Sequence, residues 1–368
     1  MSLLNLQEID QEEALNLSKF FINSEQNVMF FGRKGTGKTE IALQASRECG
    51  YKVNYINLSV LDRSDLSGFP NIHSSGNIIE YKSPYYLPPL DGKADQIILF
   101  DEVDKAPSDV TAPLLEILQF RTINGKPINA TACILTGNLL NEGAFSNVLN
   151  TALLDRSAKF VLKFDFDKWL SWAKNNGIND LILSFLSSNQ KLACGNDDDT
   201  SYASPSPRGW TLASKALTKA KEFKVLDVQT ISQIVSGFVG KEAGIKFKIW
   251  YEFYRKFEPL ALSFLRTGLL SFDFNDLKQT EKLSFVVTLC HLTKLQVIEE
   301  KKRKIKNKFA SLEMMCKFLS DNAVDREMQV IALSNSFDFD FIIKNELFKN
   351  NMFFDHYQKI NENITFKK

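Results

Sequence analysis

The residues with the clearest chemical potential form a glycine-rich loop near the amino end of the chain. The loop lies between an apolar run and a helical pattern and fits GxxxxGK[ST], and its members are Gly32, Arg33, Lys34, Gly35, Thr36, Gly37, Lys38 and Thr39. Glycines let backbone N–H groups wrap a phosphate, and the helix N-terminus adds its dipole. Lys38 would reach the β- and γ-phosphates of a nucleotide, and the Thr39 hydroxyl would bind Mg²⁺. A chance glycine turn is the alternative, which the position between strand and helix disfavours.

Two acids follow a second apolar run, Ile97–Phe100. Asp101 suits a direct or outer-shell hold on Mg²⁺, and Glu102 suits a base that activates water. Alone, the pattern also fits a strand that ends in solvated acids. Because a nucleotide kinase needs a phosphoryl acceptor site whereas an NTPase needs an oriented water, Glu102 favours hydrolysis.

The elements that position these residues alternate between strands and helices. Five short apolar runs predict strands at Asn27–Phe31, Lys52–Leu58, Gln96–Phe100, Ala130–Thr136 and Lys159–Phe164, with helices such as Lys38–Cys49 and Ser108–Phe120 between them. Such alternation predicts an α/β fold with a five-stranded, mostly parallel sheet. Ligands of these folds bind beyond the carboxyl ends of the strands, which is where both motifs fall.

Composition excludes several other classes of protein. The 368 residues are 24% charged, and 45 Lys and Arg balance 44 Asp and Glu, which disfavours a histone-like nucleic-acid binder. Five scattered cysteines and three distant histidines disfavour a disulfide framework, a zinc finger and a His-rich metal site, and they favour a reducing compartment. We find no export signal and no apolar run near the roughly 18 to 20 residues of a membrane span. We therefore expect a cytoplasmic protein without membrane insertion.

The order of motifs resembles that of AAA+ ATPases, in particular the MoxR-like branch related to midasin and dynein-type modules. The resemblance covers roughly residues 25 to 215, and the matching stretches are Gly32–Thr39, Arg63–Pro70, Phe100–Ala106, Leu114–Arg121, Thr136–Asn138, Leu153–Arg156 and Ser206–Trp210. It implies the P-loop AAA+ fold with a helical lid, and ATP and Mg²⁺ as cofactors.

The resemblance also implies roles for three residues outside the two motifs. Asn138 matches sensor 1, which would orient the attacking water beside Glu102. Arg156 matches the arginine finger that reaches the γ-phosphate of a neighbouring subunit, and Arg208 matches sensor 2 on the lid. Planar guanidinium groups can neutralise the oxygens of a transferring phosphoryl group. The alternatives are a surface salt bridge for Arg156 and a loop charge for Arg208. Ser157 departs from the pattern, because an aromatic residue commonly follows the Asp-Arg pair.

Two segments read as β-hairpins inserted into the α/β domain. Residues 71–82 form two short arms around a Ser-Ser-Gly-Asn turn, and Arg121–Ile128 carries Asn124-Gly125, the strongest two-residue hairpin signal. In the MoxR-like branch such insertions project toward a ring's pore or face, and decoration of the sheet edge is the alternative. Lys82, Tyr85 and Tyr86 are candidates for exposed contacts with a partner.

We expect three domains. Residues 1–166 form the α/β nucleotide-binding domain with both hairpins, 167–258 the helical lid and 259–368 an α-helical C-terminal domain whose aromatic residues form a core. The basic run at residues 299–308 reads as a solvated helix face, with contact to nucleic acid or an acidic partner as the alternative.

These observations predict an ATP-hydrolysing, chaperone-like ring, most simply a hexamer, that remodels or assembles a protein partner by hydrolysis at subunit interfaces. A von Willebrand factor A-type adaptor is a partner that the resemblance implies. The alternatives are a DNA-directed motor or restriction-linked NTPase, a non-hydrolysing nucleotide-dependent scaffold, and a monomeric P-loop kinase. The residues leave ATP and GTP both open.

Overall fold

The computed structural model describes residues 6–71, 80–87, 89–138, 151–195, 204–223, 227–302, 309–320, 324–337, 342–343 and 345–365. The chain divides into two compact units. The first unit comprises Met1–Asn176 with Cys194–Gly209, and the second comprises Gly177–Ala193 with Trp210–Lys368. No helix within the described ranges combines the length and the apolarity that a membrane crossing requires.

A six-stranded parallel sheet is the centre of the first unit. Its order is β1-β10-β2-β9-β6-β3, and the strands are β1 (Gln7–Ile9), β2 (Val28–Gly32), β3 (Lys52–Asn57), β6 (Gln96–Asp101), β9 (Ala132–Gly137) and β10 (Ala158–Leu162). The five predicted strands are confirmed, but the predicted number of five is wrong. The sixth strand, β1, escapes detection because it has three residues of which only Ile9 is buried.

Alternating side chains of the central strands supply two separate cores. Val28 and Phe30 pack with helices α1 (Gln11–Asn23) and α2 (Lys38–Glu48), whereas Met29 and Phe31 pack with α4 (Ser108–Phe120). Successive side chains of a strand point to opposite faces, so helices cover both sides of the sheet. The remaining helices of this unit are α3 (Arg63–Ser67), α5 (Thr151–Leu154) and α6 (Phe166–Asn175). The predicted α/β architecture is confirmed.

Both predicted hairpins have paired arms. Strands β4 (Pro70–Asn71) and β5 (Glu80–Tyr81) are antiparallel, and their turn at residues 74–77 lies outside the described residues. Strands β7 (Thr122–Ile123) and β8 (Lys126–Pro127) flank Asn124 and Gly125, whose φ angles of 50° and 72° match the mirror-image turn expected of Asn-Gly.

The arms of the first hairpin continue into exposed side chains. Tyr85 is 94% exposed and Tyr86 is 37% exposed, and Lys82 is exposed as well. The second hairpin contacts the first, since the Lys126 ammonium donates to the Tyr81 carbonyl oxygen at 3.2 Å. Because the side chains of Lys82, Tyr85 and Tyr86 are exposed, a partner could contact them.

The second unit is helical. Its helices are α7 (Asp180–Ser187), α9 (Val228–Val239), α10 (Lys241–Thr267), α11 (Gln279–Lys302), α12 (Ala310–Leu319), α13 (Arg326–Ser336) and α14 (Asn351–Thr365). Helix α8 (Pro207–Glu222) carries Arg208 in its first turn, which belongs to the first unit, and its residues from Trp210 onward belong to the second unit. Phe257, Phe285 and Phe318 are buried in one apolar cluster, so these aromatic residues form core as expected. The predicted boundary at 258/259 falls inside α10, and the three-domain division stays a prediction. The basic run lies partly outside the described residues, beyond residue 302.

Candidate functional site

The glycine-rich loop joins β2 to α2 at the carboxyl edge of the sheet. Gly35 and Gly37 have φ angles of 76° and 102°, a region that favours glycine. Gly37 is the N-cap of α2, so the helix begins directly at the loop and its N-terminal dipole favours an anion there. A Cβ at Gly37 would meet no atom within 4 Å. The backbone conformation, and not a lack of space, therefore requires glycine there.

The Lys38 side chain is buried and lies across the loop. Its Nζ donates to the carbonyl oxygens of Gly32 at 2.5 Å and Arg33 at 2.9 Å, and to Asn138 Oδ1 at 3.3 Å. Asn138 follows β9 directly, and its backbone N–H donates to Asp104 at 2.9 Å. The ends of β2 and β9 thus bring the predicted phosphate lysine and the predicted sensor amide into contact.

Asp101 is held by donors from four directions. Its Oδ2 accepts from Thr39 Oγ1 at 3.2 Å and from Tyr55 Oη at 3.0 Å. Its Oδ1 accepts from Thr136 Oγ1 and from the Glu102 N–H. Burial and the Asp101 carboxylate together raise the pKa of Tyr55 to about 12, so the phenol stays a donor at neutral pH. Thr39 and Asp101 present the adjacent hydroxyl and carboxylate oxygens that Mg²⁺ prefers.

Glu102 has a φ of 58°, a left-handed conformation that directs the chain out of β6. Its carboxylate lies 2.7 Å from the Lys105 ammonium. Burial raises the pKa of Glu102, but the hydrogen bonds from Lys105 and Ser59 and the charge of Lys105 outweigh it, and the net pKa lies below the ordinary value. Glu102 is consequently ionised at neutral pH, as a general base must be.

Arg208 lies in the segment Cys194–Gly209 of the first unit and contacts the glycine-rich loop. Its N–H donates to the Gly35 carbonyl oxygen at 3.2 Å, and its side chain lines the same cavity as Lys38, Thr39 and Asn138. That cavity measures about 220 Å³. Arg33 instead donates to the Gly195 carbonyl oxygen, and neither Gly32, Arg33 nor Thr36 lines the cavity.

The charges around this cavity fit a nucleotide with a metal ion. The cations are Lys34, Lys38, Lys105 and Arg208, and the anions are Asp101 and Glu102. Four cationic groups suit the oxygens of a triphosphate, and the Thr39–Asp101 pair suits the metal ion that would bridge them. The donor set therefore fits both ATP and Mg²⁺.

Arg156 does not line this cavity. Its Nε and one Nη donate to Gln119 Oε1 at 3.0 and 2.7 Å, and the other Nη donates to the Ala152 carbonyl oxygen at 2.6 Å. It lines a different cavity of about 560 Å³, where residues that precede the strands, such as Asn27 and Tyr51, come together. The two cavities therefore lie at opposite ends of the strands.

Three residues that contact the predicted site were missed from the sequence. Tyr55 and Thr136 donate to Asp101, and Lys105 pairs with Glu102. Thr136 could have been predicted, because it is a polar residue near the end of β9 and the carboxyl ends of the strands meet at the edge where ligands bind. Tyr55 has no comparable signal, because it lies within β3.

Comparison with known proteins extends these observations. Residues 27–156 match the AAA domain of the dynein-related subfamily. The matched range contains the glycine-rich loop, Asp101, Glu102, Asn138 and Arg156, whereas Arg208 lies beyond it.

The chain is similar to two curated relatives, both named chaperone protein ClpB. Identity is 28% over 183 residues for the Mycoplasma pneumoniae protein, covering 45% of this chain and 25% of that protein. It is 27% over 175 residues for the Mycoplasma genitalium protein, covering 43% and 24%. The alignments thus span about a quarter of the length of these relatives.

A solved structure named "putative ATPase", from Cytophaga hutchinsonii, is 22% identical to this chain. The match covers 45% of this chain and 51% of that chain, with a TM-score of 0.35. The AAA-domain match supports ATPase activity in general, and the MoxR-like assignment stays a prediction.

Proposed function

We propose that this protein is a MoxR-like AAA+ ATPase that hydrolyses ATP at the interfaces of a ring, most simply a hexamer, and thereby remodels or assembles a protein partner. One observation carries the proposal. Lys38, Glu102, Asn138 and Arg208 converge on one cavity, whereas Arg156 is fixed at the other end of the strands. A guanidinium in that position can complete the site of an adjoining copy.

The residues of the cavity divide the chemical work. Lys38, Lys34 and Arg208 bind the phosphate oxygens, and Glu102 takes the proton of a water that Asn138 orients. Mg²⁺ bound by Thr39 and Asp101 would neutralise charge on the phosphates. Arg156 of the adjoining copy would stabilise charge on the transferring phosphoryl group, a contribution of about 10³–10⁵-fold in rate for such arginines.

A protein is the favoured partner. The exposed side chains of Lys82, Tyr85 and Tyr86 offer aromatic and cationic contacts, and the relatives at 28% and 27% identity are named as chaperones. A von Willebrand factor A-type adaptor is the partner class we would look for first. None of the five cysteines, all of which are among the described residues, forms a disulfide, which suits the reducing cytoplasm.

The test uses Glu102→Gln, which keeps the size of the side chain and removes the base. We expect this variant to bind ATP, to form rings with ATP and Mg²⁺, and to lose hydrolysis. Glu48→Gln on α2 is the matched control, because Glu48 pairs with Lys19 and does not line the cavity. Retained turnover in Glu102→Gln would refute the assigned role of the base.

A second experiment addresses the shared site. Arg156→Ala subunits lack the finger and Lys38→Ala subunits lack phosphate binding, so a mixture can rebuild complete sites only across an interface. Partial recovery of turnover in the mixture is expected, and a mixture as inactive as its parents would contradict the shared site. Capture of partners on Glu102→Gln with ATP would then identify the substrate, and turnover stimulated by DNA with steep salt dependence would favour a DNA motor instead.

A further inference from the structure

The Asn27 side chain, just before β2, is hydrogen-bonded to three other segments of the first unit: the end of α4, the residue Arg156 before β10, and β9. Its Nδ2 donates to the carbonyl oxygens of Arg156 at 2.8 Å and Leu118 at 2.9 Å. Its Oδ1 accepts from the Arg121 guanidinium at 2.6 Å and from the Cys133 N–H at 3.3 Å. Asn27 is only 7% exposed, and the donors and acceptors of its amide are all used. Such a buried, satisfied network fixes the segments that it joins.

Gln119 holds the other end of the same arginine. Its Oε1 accepts from both Nε and Nη of Arg156, and the Ala152 carbonyl oxygen accepts from the remaining Nη. All three contacts therefore involve neutral oxygens. A neutral acceptor orients the guanidinium, whereas a carboxylate would also neutralise its charge. Arg156 is thus oriented at its backbone by Asn27 and at its side chain by Gln119, with its positive charge uncompensated by these partners.

A purely structural reading assigns each residue a smaller part. Asn27 would then be a buried amide that secures the start of β2, and Gln119 a surface residue at the end of α4. That reading gives no reason for both amides to meet on the residue that the proposed function assigns to the adjoining copy. It also predicts that exchanging Gln119 for a similar polar side chain has no effect on catalysis.

We propose that Asn27 and Gln119 are positioning residues for Arg156, which they hold in the orientation that an adjoining copy's nucleotide site requires. The proposal rests on the proposed shared site. Asn27 fixes the peptide of Arg156 relative to α4 and β9, and Gln119 fixes the plane of the guanidinium. Neither residue contacts the nucleotide cavity of its own chain.

The first measurement is turnover of full-length Gln119 variants. Gln119→Ala removes the acceptor and is expected to lower kcat about tenfold with KM unchanged, since misplacement by about 1 Å can cost up to 10²-fold. Gln119→Glu supplies a carboxylate that neutralises Arg156, and it is expected to lower kcat about a hundredfold. Gln26→Ala is the matched control, because Gln26 lines the same cavity without a hydrogen bond to Arg156. Equal kcat values for wild type, Gln119→Ala and Gln119→Glu would overturn the role of Gln119.

Mixed rings decide whether Asn27 acts through Arg156. Asn27→Ser subunits are expected to keep an intact nucleotide site and a misplaced finger, so Lys38→Ala subunits, whose finger is intact, should restore part of their turnover. Arg156→Ala subunits should not restore it. Rescue by Arg156→Ala instead would show that Asn27 serves the phosphate loop of its own chain and would overturn its assignment.

The parent mixture separates this proposal from the proposed function. If Lys38→Ala and Arg156→Ala do not complement each other, the shared site itself fails. If they do, and Lys38→Ala still fails to rescue Asn27→Ser, the positioning role of Asn27 fails alone. ATP binding by Asn27→Ser checks its folding, and because Gln119 lies at the surface, the Gln119 series stands independently.

Discussion

The Glu102 carboxylate lies 2.7 Å from the ammonium of Lys105, three residues further along the chain. The pair forms because Glu102 has a φ of 58°, after which Val103–Lys105 turns as a short 3-10 helix. Such non-glycine residues in the left-handed region persist where surrounding contacts hold them, and they often mark functional sites. The proposed base therefore has an ionic partner within its own chain, and both residues line the cavity.

Replacing Lys105 by Met should raise the pKa of Glu102. Burial, which raises that pKa, remains, whereas the hydrogen bond and charge that lower it are lost. Because the base acts when ionised, the acid limb of the pH dependence of kcat should move to higher pH. A profile that does not move would show that Lys105 leaves Glu102 unaffected during turnover.

The Glu102–Lys105 pair also determines how the free energy of unfolding changes with pH. The folded pKa of Glu102 lies below its ordinary value of 4.5, so its contribution to folding is present above the unfolded pKa. It is lost as the pH falls from about 4.5 through the folded pKa. Lys105→Met should thus reduce the acid dependence of unfolding in this window, as followed by urea unfolding at a series of pH values.

Tyr55→Phe should weaken the use of Mg²⁺. The phenol donates to Asp101 Oδ2 at 3.0 Å, and loss of such an outer contact typically costs about 10–100-fold in metal affinity or activity. We expect more Mg²⁺ to be needed for half-maximal turnover and for tight binding of a fluorescent ATP analogue. Tyr51→Phe is the control, because Tyr51 lines the other cavity. Equal Mg²⁺ requirements in both variants would leave Tyr55 without this role.

Gly125→Ala should destabilise the first unit by about 1 kcal/mol, because its φ of 72° disfavours an L-residue. A Cβ would meet no atom within 4 Å, so the effect isolates the backbone. Gly237→Ala in α9 is the matched control. It also has space for a Cβ, but it lies in a helix, where alanine should stabilise by roughly 0.5–1 kcal/mol. Amide hydrogen exchange in each unit measures both changes in stability. Equal effects of the two substitutions would contradict the backbone requirement assigned to Gly125.

Arg208→Ala should reduce both nucleotide affinity and turnover, because a cation leaves the cavity. Arg208→Lys retains the charge without the planar pair of donors, so it should recover affinity more than kcat. Titration with an ATP analogue and steady-state kinetics separate the two effects. Equal recovery of both quantities by lysine would mean that charge alone matters at this position.

Local patterns in the sequence were sufficient for much of the first unit. Buried runs such as Val28–Gly32 and Gln96–Asp101 are read directly as central strands, and Asn124-Gly125 forms the turn that its chemistry favours. Thr39 and Asp101 were expected at one edge of the sheet, and Thr39 Oγ1 lies 3.2 Å from Asp101 Oδ2. Their roles remain proposals.

The remaining features depend on contacts between distant parts of the chain. The Asn27 amide meets carbonyl groups 91 and 129 residues away, and no spacing signals such a network. The Tyr55 phenol reaches Asp101 across neighbouring strands, 46 residues apart. Strand β1 has a single buried side chain, so its place beside β10 depends on pairing that periodicity cannot show.

Strand β2 is a mechanical link as well as a core element. It is buried along its whole length and spans about 16 Å at the usual rise per residue. Gly32 at one end opens the phosphate loop, and Asn27 precedes the other end and holds Arg156. If copies assemble as proposed, this rigid strand connects the nucleotide site of each copy to the arginine that the same copy supplies to its neighbour. The order in which successive copies hydrolyse ATP would then depend on the stiffness of these five residues.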